Sequence, residues 1–264
     1  MEYFGQTYSA TTSNQYIMNL KFTSTKNFRE QLNTNLVFAG MICLVTVFSS
    51  CSKQTGTTIT QTPSSIFAVV NASPNCPTSD FYLNSQMVNA IPFTYGNYLG
   101  YVNGPVGSAI KFGFYDTGTL TAIATDTVTL LQNHAYTVFF TNVISSPTFI
   151  TLRDTIDAPA NNSASIRLVN VSPDAPNVDL AIGNTVYATN IPYKQASKFI
   201  NVPPAGNDTL NIRQTGTSTV LAKVSAVTIQ LGGVYTIWLE GFANPPAAGE
   251  GLMSGLMENA TFNN

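Results

Sequence analysis

Short runs in which apolar and polar residues alternate dominate the chain from residue 65 onward. Residues 136–141 (YTVFFT) and 178–182 (VDLAI) are two of these runs, and no helical period is sustained after residue 50. Turn sequences rich in Gly, Asn and Pro separate the runs at intervals of roughly 8 to 15 residues. This pattern predicts an all-β chain built as antiparallel sandwiches.

The pattern occurs twice. Residues 70–77 (VNASPNCP) match residues 169–176 (VNVSPDAP) at an offset of 99 residues, and the same offset relates Asp80 to Asp179. A period of about 100 residues is too long for a solenoid repeat and long enough for each copy to bury its own core. We therefore predict a tandem duplication of one domain.

The N-terminal region has the pattern of an export signal. Residues 36–48 (LVFAGMICLVTVF) are apolar and uncharged, but they are fewer than the 20 or so residues that a membrane span requires. Lys21, Lys26 and Arg29 precede this run, as in a signal peptide. A signal peptide that began at Met18 would have a more usual length than one that began at Met1. Because a wrongly assigned start codon would explain this difference, residues 1–17 are left out of the fold prediction.

Residues 48–51 (FSSC) resemble the lipobox of bacterial lipoproteins, in which the cysteine is acylated and becomes the mature N-terminus. Cys51 is therefore the predicted lipidation site and the link to the membrane, and two acyl chains suffice for stable anchoring. Phe48 departs from the usual Leu at its position. An uncleaved anchor or a simple secretory signal is the alternative interpretation.

These features divide the chain into five predicted segments. They are a signal peptide (1–50), a polar Thr-rich tether (51–64), a first β-sandwich (65–156), a linker (157–163) and a second β-sandwich (164–264).

Composition narrows the classes of function. Charged residues make up 9% of the chain, against about 25% in average soluble domains. The 11 Lys and Arg residues against 13 Asp and Glu supply no basic stripe, which excludes a nucleic-acid partner. With Cys43 in the signal and Cys51 acylated, Cys76 has no partner, so we predict no disulfide framework.

The motif of the second copy, residues 170–179 (NVSPDAPNVD), resembles the bacterial family of domains of unknown function numbered 4397. The first copy departs from it, with Asn75 for Asp174 and Cys76 for Ala175. The resemblance implies tandem immunoglobulin-like (Ig-like) sandwiches and a cell-envelope location, as an outer-membrane lipoprotein of a Gram-negative bacterium. It implies no activity.

The motif residues have two interpretations. Asp174 and Asp179 have the residue type for a Ca²⁺ site or for an acid/base pair. We favour turn formation, in which the Asp side chain bonds backbone amides two residues further on. The predicted turn residues are Ser73, Pro74, Asp80, Ser172, Pro173, Asp174 and Asp179.

His134 is the only histidine, and its counterpart in the second copy is Gly233. We interpret it as a turn residue, and Cys76 as a small buried loop residue. The sequence therefore predicts no catalytic residue, no metal ligand and no cofactor.

Large aromatic residues are the candidates for binding. Phe139 and Trp238 occupy equivalent positions on the strand face opposite the expected core. They are either a partner or interdomain contact or a stacking platform for sugar, unless both faces of their sheets are covered. Tyr95, Tyr98 and Tyr101 lie in a Gly- and Asn-rich stretch and are further candidates for stacking on a glycan.

The expected function is non-catalytic: adhesion, binding of a protein partner or structural support in the envelope. A carbohydrate-binding module that captures polysaccharide is the alternative. A hydrolase is the remote alternative, because it requires two carboxylates that converge in a cleft, such as Asp174, Asp179 or Glu240.

Mass spectrometry of the mature protein tests the lipid anchor. We expect an N-terminal peptide that begins at Cys51 and carries acyl chains, and we expect the Cys51→Ala variant to keep its signal peptide and to lose the acyl mass. A mature N-terminus at any other residue would contradict lipidation at Cys51.

Overall fold

The computed structural model describes residues 64–263 and the backbone of a two-residue strand, β1 (Ser9–Ala10). The remainder of the signal peptide, Cys51 and most of the tether lie outside the described residues. The described part of the chain contains no helix, and so none that is long and apolar enough to cross a membrane. Both sandwiches belong to one compact unit.

Sandwich 1 consists of eight strands between residues 65 and 154. They are β2 (Ser65–Asn71), β3 (Ser79–Leu83), β4 (Gln86–Met87), β5 (Tyr98–Gly104), β6 (Gly107–Asp116), β7 (Ala122–Leu130), β8 (Ala135–Thr141) and β9 (Thr148–Asp154). One sheet has the order β5-β2-β8-β9 and the other the order β4-β3-β6-β7.

Sandwich 2 repeats this plan between residues 164 and 262. Its strands are β10 (Ala164–Asn170), β11 (Val178–Ile182), β12 (Thr185–Ile191), β13 (Gln195–Ala196), β14 (Ile200–Val202), β15 (Ala205–Gln214), β16 (Val220–Ile229), β17 (Gly233–Glu240) and β18 (Met253–Phe262). One sheet has the order β12-β11-β15-β16. The other has the order β1-β18-β17-β10-β13, with β14 also paired to β10.

The predicted all-β sandwich class is confirmed, with one difference in the pairing. We call the sheet that contains β2 and β8 and the sheet that contains β10 and β17 the inner sheets, and the other two the outer sheets. The central strands of each inner sheet, β2 with β8 and β10 with β17, run parallel. Between these two strands the chain passes through both sheets of the sandwich, so no hairpin joins them. The sheets are therefore mixed and rich in antiparallel pairs. The assignment to the Ig-like type stays a prediction.

The equivalent turns Thr117-Gly118 and Thr215-Gly216 join the two long strands of each outer sheet. Gly118 has a φ of 71° and Gly216 a φ of 73°, which is the left-handed conformation that glycine adopts without a steric penalty. The Gly residues that marked these turns in the sequence are required by the backbone.

Each sandwich has its own core. In sandwich 1 the core is aromatic: the Phe114 ring lies 5.1 Å from Phe81 and 4.8 Å from Phe140, measured between ring centroids. In sandwich 2 the core is mainly aliphatic, with Leu180 and Leu210 fully buried. Tyr136, Val138 and Phe140 of β8 lie in the first core, and Tyr235, Ile237 and Leu239 of β17 lie in the second. The expected core face, opposite Phe139 and Trp238, is therefore confirmed.

A third apolar layer lies between the two sandwiches. The inner sheet of sandwich 1 packs face to face on the inner sheet of sandwich 2, and we call this contact the seam. Its buried apolar residues are Ala68, Val70, Ala72, Tyr101, Phe139, Ile150, Val169, Val171, Trp238 and Met257. Four sheets thus enclose three apolar layers, and β10 and β17 are buried at every position.

The seam also contains a buried ion pair. Asp154 at the end of β9 lies 2.7 Å from the Nη1 of Arg167 on β10, and both side chains are less than 5% exposed. Tyr101 and Thr137 donate hydrogen bonds to the second Asp154 oxygen at 2.5 and 2.6 Å. The Nε of Arg167 donates to Thr236 at 2.9 Å. Polar groups that are buried together in this way satisfy one another.

We expect Arg167→Met to lower the free energy of unfolding by about 3–5 kcal/mol, because it leaves the Asp154 carboxylate buried without a cation. The double variant with Asp154→Asn should lose less than the sum of the two single losses, since neither charge then stays buried alone. Urea denaturation measures both. Arg153→Met, at the exposed neighbouring position, is the control and should change little.

Candidate functional site

The Asn-x-Ser-Pro motif ties the end of the first strand of each sandwich to the end of a distant strand. Asn71 and Asn170 accept hydrogen bonds from the backbone N–H of Ser73 and Ser172, at 3.2 and 3.1 Å. The Ser73 hydroxyl donates to the Asn142 carbonyl at 2.5 Å, and the Ser172 hydroxyl donates to the corresponding Gly241 carbonyl at 2.7 Å. Both serines thus reach across 69 residues of chain.

Asp174 makes a long-range contact where the sequence predicted a local one. Its carboxylate accepts hydrogen bonds from the backbone N–H of Ala243 and Asn244, at 2.7 and 2.8 Å. The prediction of bonds to amides two residues further on is therefore wrong. Asn75, its counterpart in the first copy, accepts one from the Ile144 N–H at 3.0 Å, across the same 69 residues. The change from Asp to Asn keeps this contact because both side chains carry an acceptor oxygen.

Asp80 and Asp179 hold the Thr-Gly turn of each outer sheet. Asp80 accepts from the Gly118 N–H at 2.9 Å and from the Asn89 amide at 2.9 Å. Asp179 accepts from the Gly216 N–H at 3.1 Å, and from Thr215 and the Asn190 N–H, both at 2.8 Å. Burial raises the pKa of Asp179, but these three bonds outweigh it, and the pKa lies below its ordinary value.

The three acids that a hydrolase would have to bring together have separate partners. Asp174 holds the loop after β17, Asp179 holds the Thr-Gly turn, and Glu240 accepts a hydrogen bond from the indole N–H of Trp238 at 2.9 Å. Among the described residues no three His, Cys, Asp or Glu side chains form a group that suits a metal ion. The carboxylate oxygens of Asp174 and Asp179 thus accept hydrogen bonds that hold a loop and a turn of the fold in place.

Phe139 and Trp238 lie inside the seam. Both side chains are 0% exposed, and their ring centroids are 5.9 Å apart in an edge-to-face contact. The hypothesis of a sugar-stacking platform is wrong for these two residues, because neither ring has a face that a ligand can reach. Their strands are covered on both faces, which is the alternative that the sequence left open.

A glycine makes room for the indole ring of Trp238. Gly255 lies opposite Trp238 on β18, and a Cβ atom placed on it would lie 2.0 Å from the indole Cζ2. The indole ring of Trp238 therefore packs directly against the backbone of Gly255, and its position depends on the absence of a side chain there.

The three tyrosine candidates differ in exposure. Tyr101 is 8% exposed and its hydroxyl belongs to the polar network of the seam, so a stacking role is wrong for it as well. Tyr98 is 45% exposed, and its ring is in edge-to-face contact with Trp238, with 5.9 Å between the ring centroids. Tyr95 is half-buried beside it, and its pKa is raised by burial and by Glu240 and Glu250. Tyr95 and Tyr98 form the rim of the seam.

His134 and Cys76 have local partners. His134 lies in the turn before β8, where its Nδ1 is 2.7 Å from the Gln132 carbonyl oxygen. Cys76 is buried in the motif loop, and burial raises the pKa of its thiol. A raised pKa disfavours the reactive thiolate.

A groove in sandwich 1 lies beside Asp80, and no sequence motif predicted it. It has a volume of about 510 Å³, and Tyr82, Met87, Asn89, Pro92 and Leu120 are among the residues that line it. Leu120 is 79% exposed, although the matching position of sandwich 2 is Ser218. This comparison of the two copies is the signal that would have located the groove.

Two stacked sandwiches with the same motif define a tandem-repeat β-sandwich protein made from one domain used twice. The chain belongs to the family described as domain of unknown function (DUF4397), whose model matches residues 65–181 and 170–248. The two overlapping matches agree with tandem copies.

A structural comparison finds a similarity to CBMbc, the family CBM26 module of Eubacterium rectale Amy13K, solved in complex with maltoheptaose. The sequence identity is 8%, the TM-score is 0.23, and the match covers 75% of this chain and 97% of that chain. A sequence comparison with curated proteins gives no match.

We expect Asp179→Ala to lower the free energy of unfolding by about 2–3 kcal/mol, because it leaves three donors without their acceptor. The wild type should also lose stability as the pH falls below 3.8, the ordinary pKa of this carboxyl, whereas the variant should lose less over that range. Urea titrations at several pH values measure both effects. Asp157→Ala, in the exposed linker, should behave like the wild type.

Proposed function

We propose that the protein is a non-catalytic lipoprotein of the cell envelope whose two sandwiches act as one rigid body for partner binding or structural support. The seam is the observation that carries this proposal. A buried ion pair and a continuous apolar layer between two domains oppose any hinge motion between them, because separation would expose both to water. A rigid body that is joined to its anchor by a polar, Thr-rich stretch suits display and support.

The anchoring part of the proposal rests on the sequence. Residues 48–51 (FSSC) follow an uncharged apolar run, and a polar Thr-rich stretch of residues 52–64 separates Cys51 from β2. In this arrangement lipid on Cys51 holds the protein at the outer membrane of a Gram-negative cell. The tether leaves the rigid body free to contact partners near the membrane.

The groove of sandwich 1 is the proposed contact surface. Met87 and Leu120 offer exposed apolar side chains. The polar groups beside them are already bonded: Asp80 to Gly118 and Asn89, and Thr119 to the Asp116 carbonyl. A partner that presents apolar side chains matches such a surface better than a charged one does.

Binding of an uncharged oligosaccharide is the second candidate. One observation favours it: the exposed side chains of the groove are uncharged, and the ring of Tyr82 is held in place by an edge contact with Tyr115 at 4.9 Å. A fixed aromatic ring is a common platform for the apolar face of a sugar. This candidate places the sugar in the groove, away from the aromatic residues that the sequence had favoured.

A photo-crosslinking residue introduced at Leu120 in the full-length chain tests the contact surface in cells. The matched control is the same residue at Ser218, the corresponding position of sandwich 2. We expect crosslinks to a discrete envelope protein from position 120 and none from position 218. Equal crosslinking from both positions would overturn the groove as the contact surface.

A glycan array with the purified chain separates the two candidates. Glycan binding that is lost in Leu120→Ser, which copies the residue of sandwich 2, would establish the carbohydrate-binding alternative. Absence of glycan binding together with a position-120 crosslink supports the protein partner.

A further inference from the structure

Glu240 is a carboxylic acid enclosed in the seam without a cation. Its side chain lies at the end of β17 and is 1% exposed. The ion pair of the described residues joins Arg167 to Asp154 and leaves Glu240 out. Glu240 accepts a hydrogen bond from the indole N–H of Trp238, which carries no charge. Burial of an ionised carboxylate with so little compensation is costly, and the neutral acid is the favoured form.

A loop of sandwich 1 lies directly against this carboxyl group. The loop between β4 and β5 brings Gly96 so close that a Cβ atom on it would lie 3.5 Å from Glu240 Oε1. Beside Gly96, Tyr95 has a hydroxyl group that is buried without a hydrogen-bond partner. Residues 94–97, which we call the rim loop, bond to sandwich 1 through the Gly96 N–H and the Asn97 carbonyl, both paired with the backbone of Asn71. They meet sandwich 2 through the partly buried Tyr95 and Gly96.

The other copy shows what a neutral residue does at this position. Thr141, the counterpart of Glu240 at the end of β8, donates a hydrogen bond across the seam to the Val171 carbonyl at 2.5 Å. The equivalent position therefore lies at the contact between the sandwiches in both copies: Thr141 bonds across it, and Glu240 lies next to Gly96 of sandwich 1. A titratable group occupies it in the second copy.

We propose that Glu240 is a proton-controlled latch between the sandwiches: the neutral acid keeps the rim loop against sandwich 2, and ionisation of the acid releases it. Burial raises the pKa of Glu240 to about 7, against the lowering effect of the Trp238 bond. The folded state therefore binds the proton more strongly than the unfolded chain does. The stability from this proton is complete below pH 4.5, the ordinary pKa, and is lost as the pH rises through about 7.

The neighbouring titratable groups act in the same direction or stay neutral. Glu250, on the loop after β17, faces Tyr95 together with Glu240, and Glu258 on β18 faces Tyr98. Both are acids, so they add no positive charge that would stabilise ionised Glu240. The pKa values of Tyr95 and Tyr98 are raised by burial, so both tyrosines stay neutral through the pH range of the latch.

The single tryptophan of the chain is the reporter, because Trp238 bonds directly to Glu240. In the full-length protein we expect acrylamide quenching of Trp238 fluorescence to increase with pH, with a midpoint near 7. Hydrogen exchange at the amides of residues 94–97 should become faster over the same range. Exchange separates loop release from a purely local effect of the charge on the indole, which would change the emission alone.

Glu240→Gln should remove the pH step in both measurements, because its amide stays neutral. Glu240→Thr, which copies Thr141, should do the same and serves as the second variant if Gln perturbs folding. Glu258→Gln, an exposed change of the same charge on β18, should keep the step. A wild type without a step, a step that persists in Glu240→Gln and Glu240→Thr, or an emission change without faster exchange would each overturn the latch.

Discussion

The burial of both faces of four central strands is the constraint on which the structure depends. In an ordinary sandwich, one face of each sheet contacts the core and the other contacts water. Here β2, β8, β10 and β17 have a core on one side and the seam on the other. The outward residues of these strands are therefore mainly apolar, and Thr137 and Thr236 belong to a network of buried polar groups that bond to one another. A polar group buried at the seam has no access to water, so an unpaired one such as the Tyr95 hydroxyl carries an energetic cost.

The family motif belongs to this constraint. The two central strands of each inner sheet run parallel, so no tight turn joins them and their ends need another connection. Ser73 and Ser172 supply it by bonding to the carbonyl group that follows the distant strand. The motif thus joins the ends of two neighbouring strands of the inner sheet. Its persistence in both copies reflects the demands of the fold.

Much of the fold could be predicted from the sequence, because alternation and internal repetition are local or pairwise signals. The two copies, the all-β class and the core residues of β8 and β17 follow from them. The seam could not be derived, because an outward Trp238 has the same pattern whether it faces a ligand or a neighbouring domain. The partners of Asp174 were missed because contacts across 69 residues leave no trace in local turn chemistry.

The meeting of Phe139 with Trp238 has a consequence for how copies of this domain assemble. These residues hold the same position in the two copies and contact each other, and Arg167 bonds to both members of the matching pair Thr137 and Thr236. Such a contact is isologous: the domain presents the same face to its neighbour that the neighbour presents to it. An isologous contact closes on itself, whereas a head-to-tail contact can extend into a filament. Two copies therefore complete the assembly, and a third copy in the same chain would find no free face of this kind.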